Sequence, residues 1–283
     1  MNIPRFFIEA KYINKQQKTV FCQDAKLTKQ IRKVLRLGNG SKIDVLDGNG
    51  NIYHCLLQII PGQSPEDFQA QIDSHEKLPS LSNTSITVGL PLIKPNRFDW
   101  ALEKVTELGA DTIIPIALHR SIIKISPQNN SNRDSDPENK AKFIRWQKII
   151  QEASEQCERP MPPRLVPPLT FQEWLEKYFA KDTKHEDNKH SVTNNLRLIC
   201  AERQNAETLE TVLYNQKIPP NSCAIALGAE GGFIEEEIKL ALSYEFIPVS
   251  LGPLILRSET AAVYTLAVIN AVLRLNKRDI TLQ

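Results

Sequence analysis

The sequence predicts an α/β protein of two parts, a small β domain over residues 1–80 followed by a larger domain over 81–283 built on a parallel sheet, and three observations carry that reading. A length of 283 residues points to two domains at roughly 100 to 200 residues each. Residues 3–60 break into short strand-like runs, and from residue 85 a texture of strand, helix and strand sets in. Hydrophobic residues at 41% and charged residues at 24% lie in the globular range, which excludes a wholly disordered, collagen-like or membrane-embedded chain.

Taken in order, FFI, TVFC, SKIDVLDG and NIYHCLLQII read as strands, the last two joined across Gly48-Asn49-Gly50, whose Asn-Gly step marks a hairpin. Between them Leu27, Ile31, Val34 and Leu35 recur at helical spacing, with Lys29, Arg32, Lys33 and Arg36 on the other sides. This predicts a short basic amphipathic helix. Residues 61–84 are polar and carry Pro and Ser, with room for a last strand and a linker. SITVGLPLI then reads as a buried strand, Phe98, Ala101, Leu102, Val105 and Leu108 as one helical stripe ending at Gly109, and TIIPIAL as the next strand. Such a βαβ unit with short loops implies parallel strands covered on both faces. The pattern recurs through helix 143–157, strand 196–202, helix 206–215, strand 222–228, helix 235–244, strand 246–252 and a closing helix over 258–275. The polar stretches 127–140 and 181–195 read as surface insertions.

The 35 basic and 33 acidic residues leave a net charge of +2, so bulk electrostatics alone would not hold a polyanion. The distribution is uneven: residues 1–36 carry nine Lys and Arg against Glu9 and Asp24. That makes a candidate nucleic-acid surface through Arg5, Arg32 and Arg36, with a solvated basic face as the plain alternative. In the second domain Lys94 and Arg97 follow the first strand, Lys142, Arg145 and Lys148 line one helix, and Arg159 closes it, all placed to meet a polyanion. The five cysteines are odd in number, scattered and free of C-x-x-C pairs, which fits reduced thiols in the cytoplasm. The N-terminus has no apolar signal region, and the stretch 261–275 is interrupted by Tyr264, Thr265, Asn270 and Arg274, so no membrane partner is expected. Neither H-E-x-x-H nor a Cys/His cluster nor G-x-S-x-G is present, so no metal is expected and triad chemistry is unsupported.

Two glycine-bearing loops follow consecutive strands: Leu227-Gly228-Ala229-Glu230-Gly231-Gly232-Phe233, and Leu251 through Gly252 to Thr260. In open α/β sheets the carboxyl ends of neighbouring strands form the ligand crevice, so both loops should border one site, simple turn chemistry being the alternative. Glu230 within the first loop and Glu235, Glu236 and Glu237 after it would repel a pyrophosphate while stabilising the helix start. A neutral or cationic cofactor with an adenine ring suits such a site better than NAD or ATP, and neither G-x-G-x-x-G nor the Walker pattern occurs.

The segments MNIPRFFI, IRKVLRLGNGSKIDVLDGNGNIY, PLIKPNRFDWALEKVTELGADTIIP, QEASEQCERPMPP, ALGAEGGFIEEEI and LGPLILRSETAAVYTLAVINA together resemble the RsmE family of 16S rRNA uridine N3-methyltransferases, of the SPOUT class. The resemblance covers both domains apart from the two polar insertions. It implies a PUA-like β-barrel for RNA binding over 1–80 and a SPOUT methyltransferase domain with a trefoil knot over 81–283. It further implies S-adenosylmethionine as cofactor, held by Leu227, Gly228, Gly231, Gly232, Leu251, Gly252, Leu256 and Thr260. The implied partners are 16S rRNA or the small ribosomal subunit, touched by Arg5, Arg32, Arg36, Lys94 and Arg159, and a second copy of the chain in a homodimer. The sequence departs from the family in having Ala229 for the usual Pro, Ile234 for Thr, Leu254 for a basic residue, and Lys29-Gln30 for a His pair. The Ile234 change removes an N-cap hydroxyl, predicting a less firmly started helix.

The resemblance also implies the chemistry and the roles it would require. N3 of uridine must lose a proton before attacking a methyl group, and Arg257 cannot take it because guanidinium stays protonated. Arg257 is instead expected to stabilise the imide anion, with Glu230 or water as proton acceptor. Competing readings are a SPOUT enzyme acting on ribose 2′-O or another base, and a non-catalytic RNA-binding ribosome-assembly factor.

Overall fold

A computed structural model describes residues 3–60, 62, 64, 67–78, 83–121, 137–180, 194–201, 206–216 and 218–281, with side chains of the last helix described to Leu273. Most of the stretches 127–140 and 181–195 lies outside the described residues, but Pro137–Lys140 belongs to a helix. The chain divides into two compact units, Met1–Leu81 with Gln151–Pro162, and Ser82–Ile150 with Pro163–Gln283.

The first unit is one six-stranded sheet. Its strands are β1 (Arg5–Phe7), β2 (Ile13–Asn14), β3 (Thr19–Gln23), β4 (Lys42–Leu46), β5 (Asn51–Gln58) and β6 (Asp67–Lys77), in the order β1-β4-β5-β6-β3-β2. β1 pairs parallel with β4 and the other neighbours are antiparallel. Period-2 side chains from its strands, including Phe6, Val20, Ile43, Val45, Tyr53, Cys55, Phe68 and Ala70, close one core. Helix α1 (Ala25–Lys29) starts where the Asp24 carboxylate accepts the Lys26 and Leu27 N–H groups at 2.9 and 3.0 Å.

The helix expected over 27–37 is shorter than its apolar spacing suggested. It passes at Gln30–Val34 into a π turn, with the Leu35 N–H donating to the Gln30 carbonyl at 2.9 Å. The wider turn breaks the 3.6-residue stripe. Ile31 stays buried, whereas Val34 and Leu35 are 69% and 41% exposed.

The second unit is a seven-stranded, wholly parallel sheet. Its strands are β7 (Ser85–Pro91), β8 (Thr112–Ala117), β9 (Arg164–Leu165), β10 (Leu169–Thr170), β11 (Asn195–Cys200), β12 (Ser222–Leu227) and β13 (Ile247–Val249). The order is β10-β8-β7-β12-β11-β13, with β9 on β8. Its helices are α2 (Pro95–Glu107), α3 (Pro137–Gln156), α4 (Phe171–Phe179), α5 (Leu209–Tyr214), α6 (Glu235–Ser243) and α7 (Ser258–Thr281).

Alternation along the strands sorts the core into two layers. Ile86, Val88, Ile113, Leu198, Cys223 and Ile225 pack with α2, α5 and α7, whereas Ile114, Ile116, Ile199, Ala224 and Ala226 pack with α4 and α6. Both faces are thereby buried, which is why these strands read as continuous apolar runs. Because every strand runs the same way, the loops after β7, β8, β12 and β13 emerge at one end of the sheet.

Candidate functional site

The loop after β12 leaves from Leu227, which is 1% exposed, and closes on itself where the Gly232 N–H donates to the Ala229 carbonyl at 2.8 Å. Gly232 at φ +71° and Gly252 at φ +107° occupy left-handed backbone regions that side chains disfavour. Gly228 and Gly231 are small for a different reason. A Cβ on Gly231 would stand 3.0 Å from Cδ of Arg120, and one on Gly228 3.4 Å from the Phe233 ring. Leu251 and Leu256 are half-buried against the apolar core, and Thr260 is exposed on the first turn of α7.

Side chains from beyond β8, from the first turn of α6 and from the first turn of α2 hold the first glycine loop in place. Arg120, beyond β8, donates through Nη1 to the Gly231 carbonyl at 2.7 Å. Glu237 is buried, its Oε1 accepting the His119 N–H at 2.7 Å and its Oε2 the Ile234 N–H at 3.0 Å. Ile234 indeed supplies no cap from its own side chain, but Glu237 reaches back to its N–H and secures the start of α6 from the other side. The three glutamates are therefore not equivalent. Glu235 is exposed, pairs with Lys239 at 2.8 Å and is held below the ordinary carboxylate range by that lysine, while Glu237 is a structural clasp.

The third support is Arg97, on the first turn of α2. Its Nη1 contacts Oε1 of Glu230 at 2.5 Å and its Nε lies 3.6 Å from Oε1 of Glu259. Sequence reasoning placed Arg97 among residues awaiting a polyanion, and the structure corrects this, since its guanidinium already holds two carboxylates. Glu259 is 9% exposed, and its Oε2 together with the adjacent Ser258 Oγ is buried without a hydrogen-bond partner. Arg257 sits beside them. It is solvent-exposed, and its guanidinium pairs with none of the described residues. Its neighbours Leu254 and Ile255 are 75% and 68% exposed.

The expected RNA-contacting residues separate into two groups. Arg36 is exposed at φ +53° and Arg32 is half-buried, its Nη2 reaching the Asp67 carbonyl at 3.4 Å. Lys26, Lys29 and Lys33 are exposed nearby on the same turn, and Lys94 is exposed at the start of α2. Arg5 and Arg159 differ. Arg5 lies between Asp44 at 3.4 Å and Glu158 at 3.3 Å, and Arg159 is 5% exposed with Nε donating to the Met161 carbonyl at 2.5 Å. Both guanidinia are thus engaged by groups of the first unit, Arg159 buried and Arg5 half-buried. The stripe on α3 is likewise engaged: Lys142 pairs with Glu138 at 2.6 Å and Arg145 with Asp99. Sequence reasoning missed the roles of Arg120, Glu237 and Glu259, and the only available signal was the proximity of each to a glycine loop in chain or sheet order.

Among the described residues no cluster of His, Cys, Asp and Glu is placed to hold a metal ion, and no helix is long and apolar enough to cross a membrane. A model of the RNA methyltransferase domain matches residues 80–270, and one of the RNA methyltransferase PUA domain matches residues 31–64. The class defined by fold and site is thus that of the SPOUT RNA methyltransferases with a PUA-like N-terminal domain. Ribosomal RNA small subunit methyltransferase E of Synechocystis sp. is 33% identical over 243 residues, spanning 86% of this chain and 70% of that protein. Its Bacillus subtilis counterpart is 27% identical over 280 residues, spanning 97% and 99%. The crystal structure of ribosomal RNA small subunit methyltransferase E from Neisseria gonorrhoeae bound to S-adenosylmethionine superposes with a TM-score of 0.76 at 25% identity, covering 96% of this chain and 98% of that one. The chain belongs to the ribosomal RNA small subunit methyltransferase E family.

Proposed function

We propose that the protein uses S-adenosylmethionine to methylate N3 of a uridine in 16S rRNA of the small ribosomal subunit. The observation that carries this reading is the pair of glycine loops at one end of a parallel sheet, with an unpaired guanidinium, Arg257, between the second loop and α7. The donor set fits the cofactor. Carboxylates at Glu230 and Glu259 suit a cationic sulfonium, the positive-φ glycines bare the backbone, and the buried Ser258 Oγ and Glu259 Oε2 lack partners a bound molecule would supply. Leu227, Gly228, Gly231, Gly232, Leu251, Gly252, Leu256 and Thr260 would hold it. When bound, S-adenosylmethionine supplies an electrophilic methyl group on positively charged sulfur.

The residues of the chain then have two tasks. They hold the reactants in a near-attack geometry, an effect of several kcal/mol (about 7 or more in the best cases). They also favour the deprotonated imide. Arg257, permanently cationic, donates to a uracil carbonyl oxygen and stabilises the anion through it. Glu230 keeps one carboxylate oxygen on Arg97 and is assigned the proton at N3. The exposed cations Lys26, Lys29, Lys33 and Arg36 of the first unit, with Arg32 beside them, meet the RNA phosphates. We assign the enzyme to the cytoplasm as a homodimer, with exposed Leu254 and Ile255 beside α7 as the surface to be covered.

The test is Arg257→Ala. It should lower methylation at saturating RNA and cofactor at least about 100-fold, the scale of one transition-state donor, while calorimetry shows S-adenosylmethionine binding retained. Full activity in the variant would sink the assignment. Mass spectrometry of 16S rRNA nucleosides from a deletion strain should show loss of N3-methyluridine. Loss of a ribose methylation instead would move the target.

A further inference from the structure

Arg97 connects two segments that lie 29 positions apart in the chain, Glu230 in the loop after β12 and Glu259 on the first turn of α7. The sheet order explains the reach. β7 pairs directly with β12, so the first turn of the helix after β7 stands beside the loop after β12. A single planar guanidinium presents Nη1 to one carboxylate at 2.5 Å and Nε to the other at 3.6 Å. Lysine has one charged nitrogen and cannot reproduce that fork. Glu259 is 9% exposed, and a carboxylate so buried is retained only beside a compensating charge; among the described residues Arg97 supplies it.

We propose that Arg97 is a positioning residue for methyl transfer, tying the two glycine loops together so that Glu230 and Arg257 face the same reacting base. The proposal rests on the reading of the loops as a methyl-transfer site and deepens it. Arg97 itself touches no reactant. Its effect passes through Glu230 on one side and, on the other, through Glu259, two residues beyond Arg257. Loss of the tie lets the loops separate, and misplacement by about 1 Å is enough to cost on the order of a hundredfold in rate.

The experiment is steady-state kinetics of the full-length protein on small-subunit RNA, comparing wild type, Arg97→Lys, Arg97→Ala, Glu230→Gln and the Arg97→Ala/Glu230→Gln pair. Thermal melting verifies that each is folded. Arg97→Ala should lower kcat by roughly tenfold to a hundredfold, and Arg97→Lys should recover little of it. The paired variant should lose far less than the product of the single losses, because both substitutions break one linkage. A residue that binds phosphate would behave otherwise: kcat would hold, KM for RNA would rise in a salt-dependent way and lysine would rescue. That result, independent single effects, or a wild-type kcat in folded Arg97→Ala would overturn the proposal while leaving the methyltransferase reading intact. Failure of the wild-type protein to bind S-adenosylmethionine in calorimetry would overturn both.

Discussion

Gly89, in the centre of β7, shows how a single missing atom is imposed by packing. A Cβ there would stand 2.8 Å from Cζ3 and Cη2 of Trp174, and that indole is fully buried between Phe171, Phe179 and Phe246. On backbone grounds alone Gly89→Ala would gain roughly 0.5–1 kcal/mol. Overpacking costs about 1–3 kcal/mol and decides the sign, so urea unfolding should show a net loss of stability. The thiols are governed by the same burial. Desolvation pushes Cys22 up to about 11 and Cys55 and Cys223 up to about 12, and Cys200 is buried as well. Only Cys157 is half-exposed. A thiol-reactive disulfide reagent at about pH 8, below these values but near that of a free thiol, should therefore label the native protein at Cys157 first. Rapid labelling of Cys55 or Cys223 before unfolding would contradict this arrangement.

At the level of elements, α4 is the one α-helix among the described residues that the strand-and-helix pattern left out, as it left out the short strands β2, β9 and β10, although the signal for α4 is present in the sequence. Thr170 and Glu173 form a reciprocal cap, the Thr170 hydroxyl accepting the Glu173 N–H at 3.2 Å and the Glu173 carboxylate accepting the Thr170 N–H at 2.8 Å. Phe171, Trp174 and Leu175 then bury one face at helical spacing. The prolines at 167 and 168 favour a loop just before it and mask the start. Thr170→Ala should cost about 1 kcal/mol of stability, with Thr170→Ser close to wild type in the same denaturant titration. In the opposite direction, the basic helix over 27–37 is expected at full length and ends early in a π turn. Its apolar spacing could not distinguish a helix that turns Val34 inward from one that presents it to solvent.

For the molecule as a whole, the structure separates exposed cations from cations held by internal partners, and the proposed function draws on the first group. Triple substitution of Lys29, Lys33 and Arg36 by Ala should flatten the salt dependence of RNA affinity, by about 0.7 in logarithmic slope for each phosphate of single-stranded RNA that is no longer neutralised. An unchanged slope in a filter-binding series would show these residues to be only a solvated face. Arg5→Ala belongs to a different experiment. Its partners Asp44 and Glu158 lie within the first unit, so the substitution should lower the melting temperature. The grouping of Gln151–Pro162 with the first unit has the same origin, for Glu155 accepts the Phe7 N–H at 3.1 Å and Glu158 holds Arg5.

The amino-acid sequence by itself determined the parallel α/β character of the second part, the strand-rich character of the first, and the two glycine loops. Periodicity and glycine placement are local properties, written within a dozen residues. It also determined the family, through motifs read as continuous segments. Only the tertiary structure decided which charges are spent. Arg97 and Arg257 look alike in the sequence, each a cation beside a loop, yet one is gripped by Glu230 and Glu259 while the other faces solvent. Which carboxylate lies next to a guanidinium follows from the order of strands in the sheet, and that order joins residues more than a hundred positions apart.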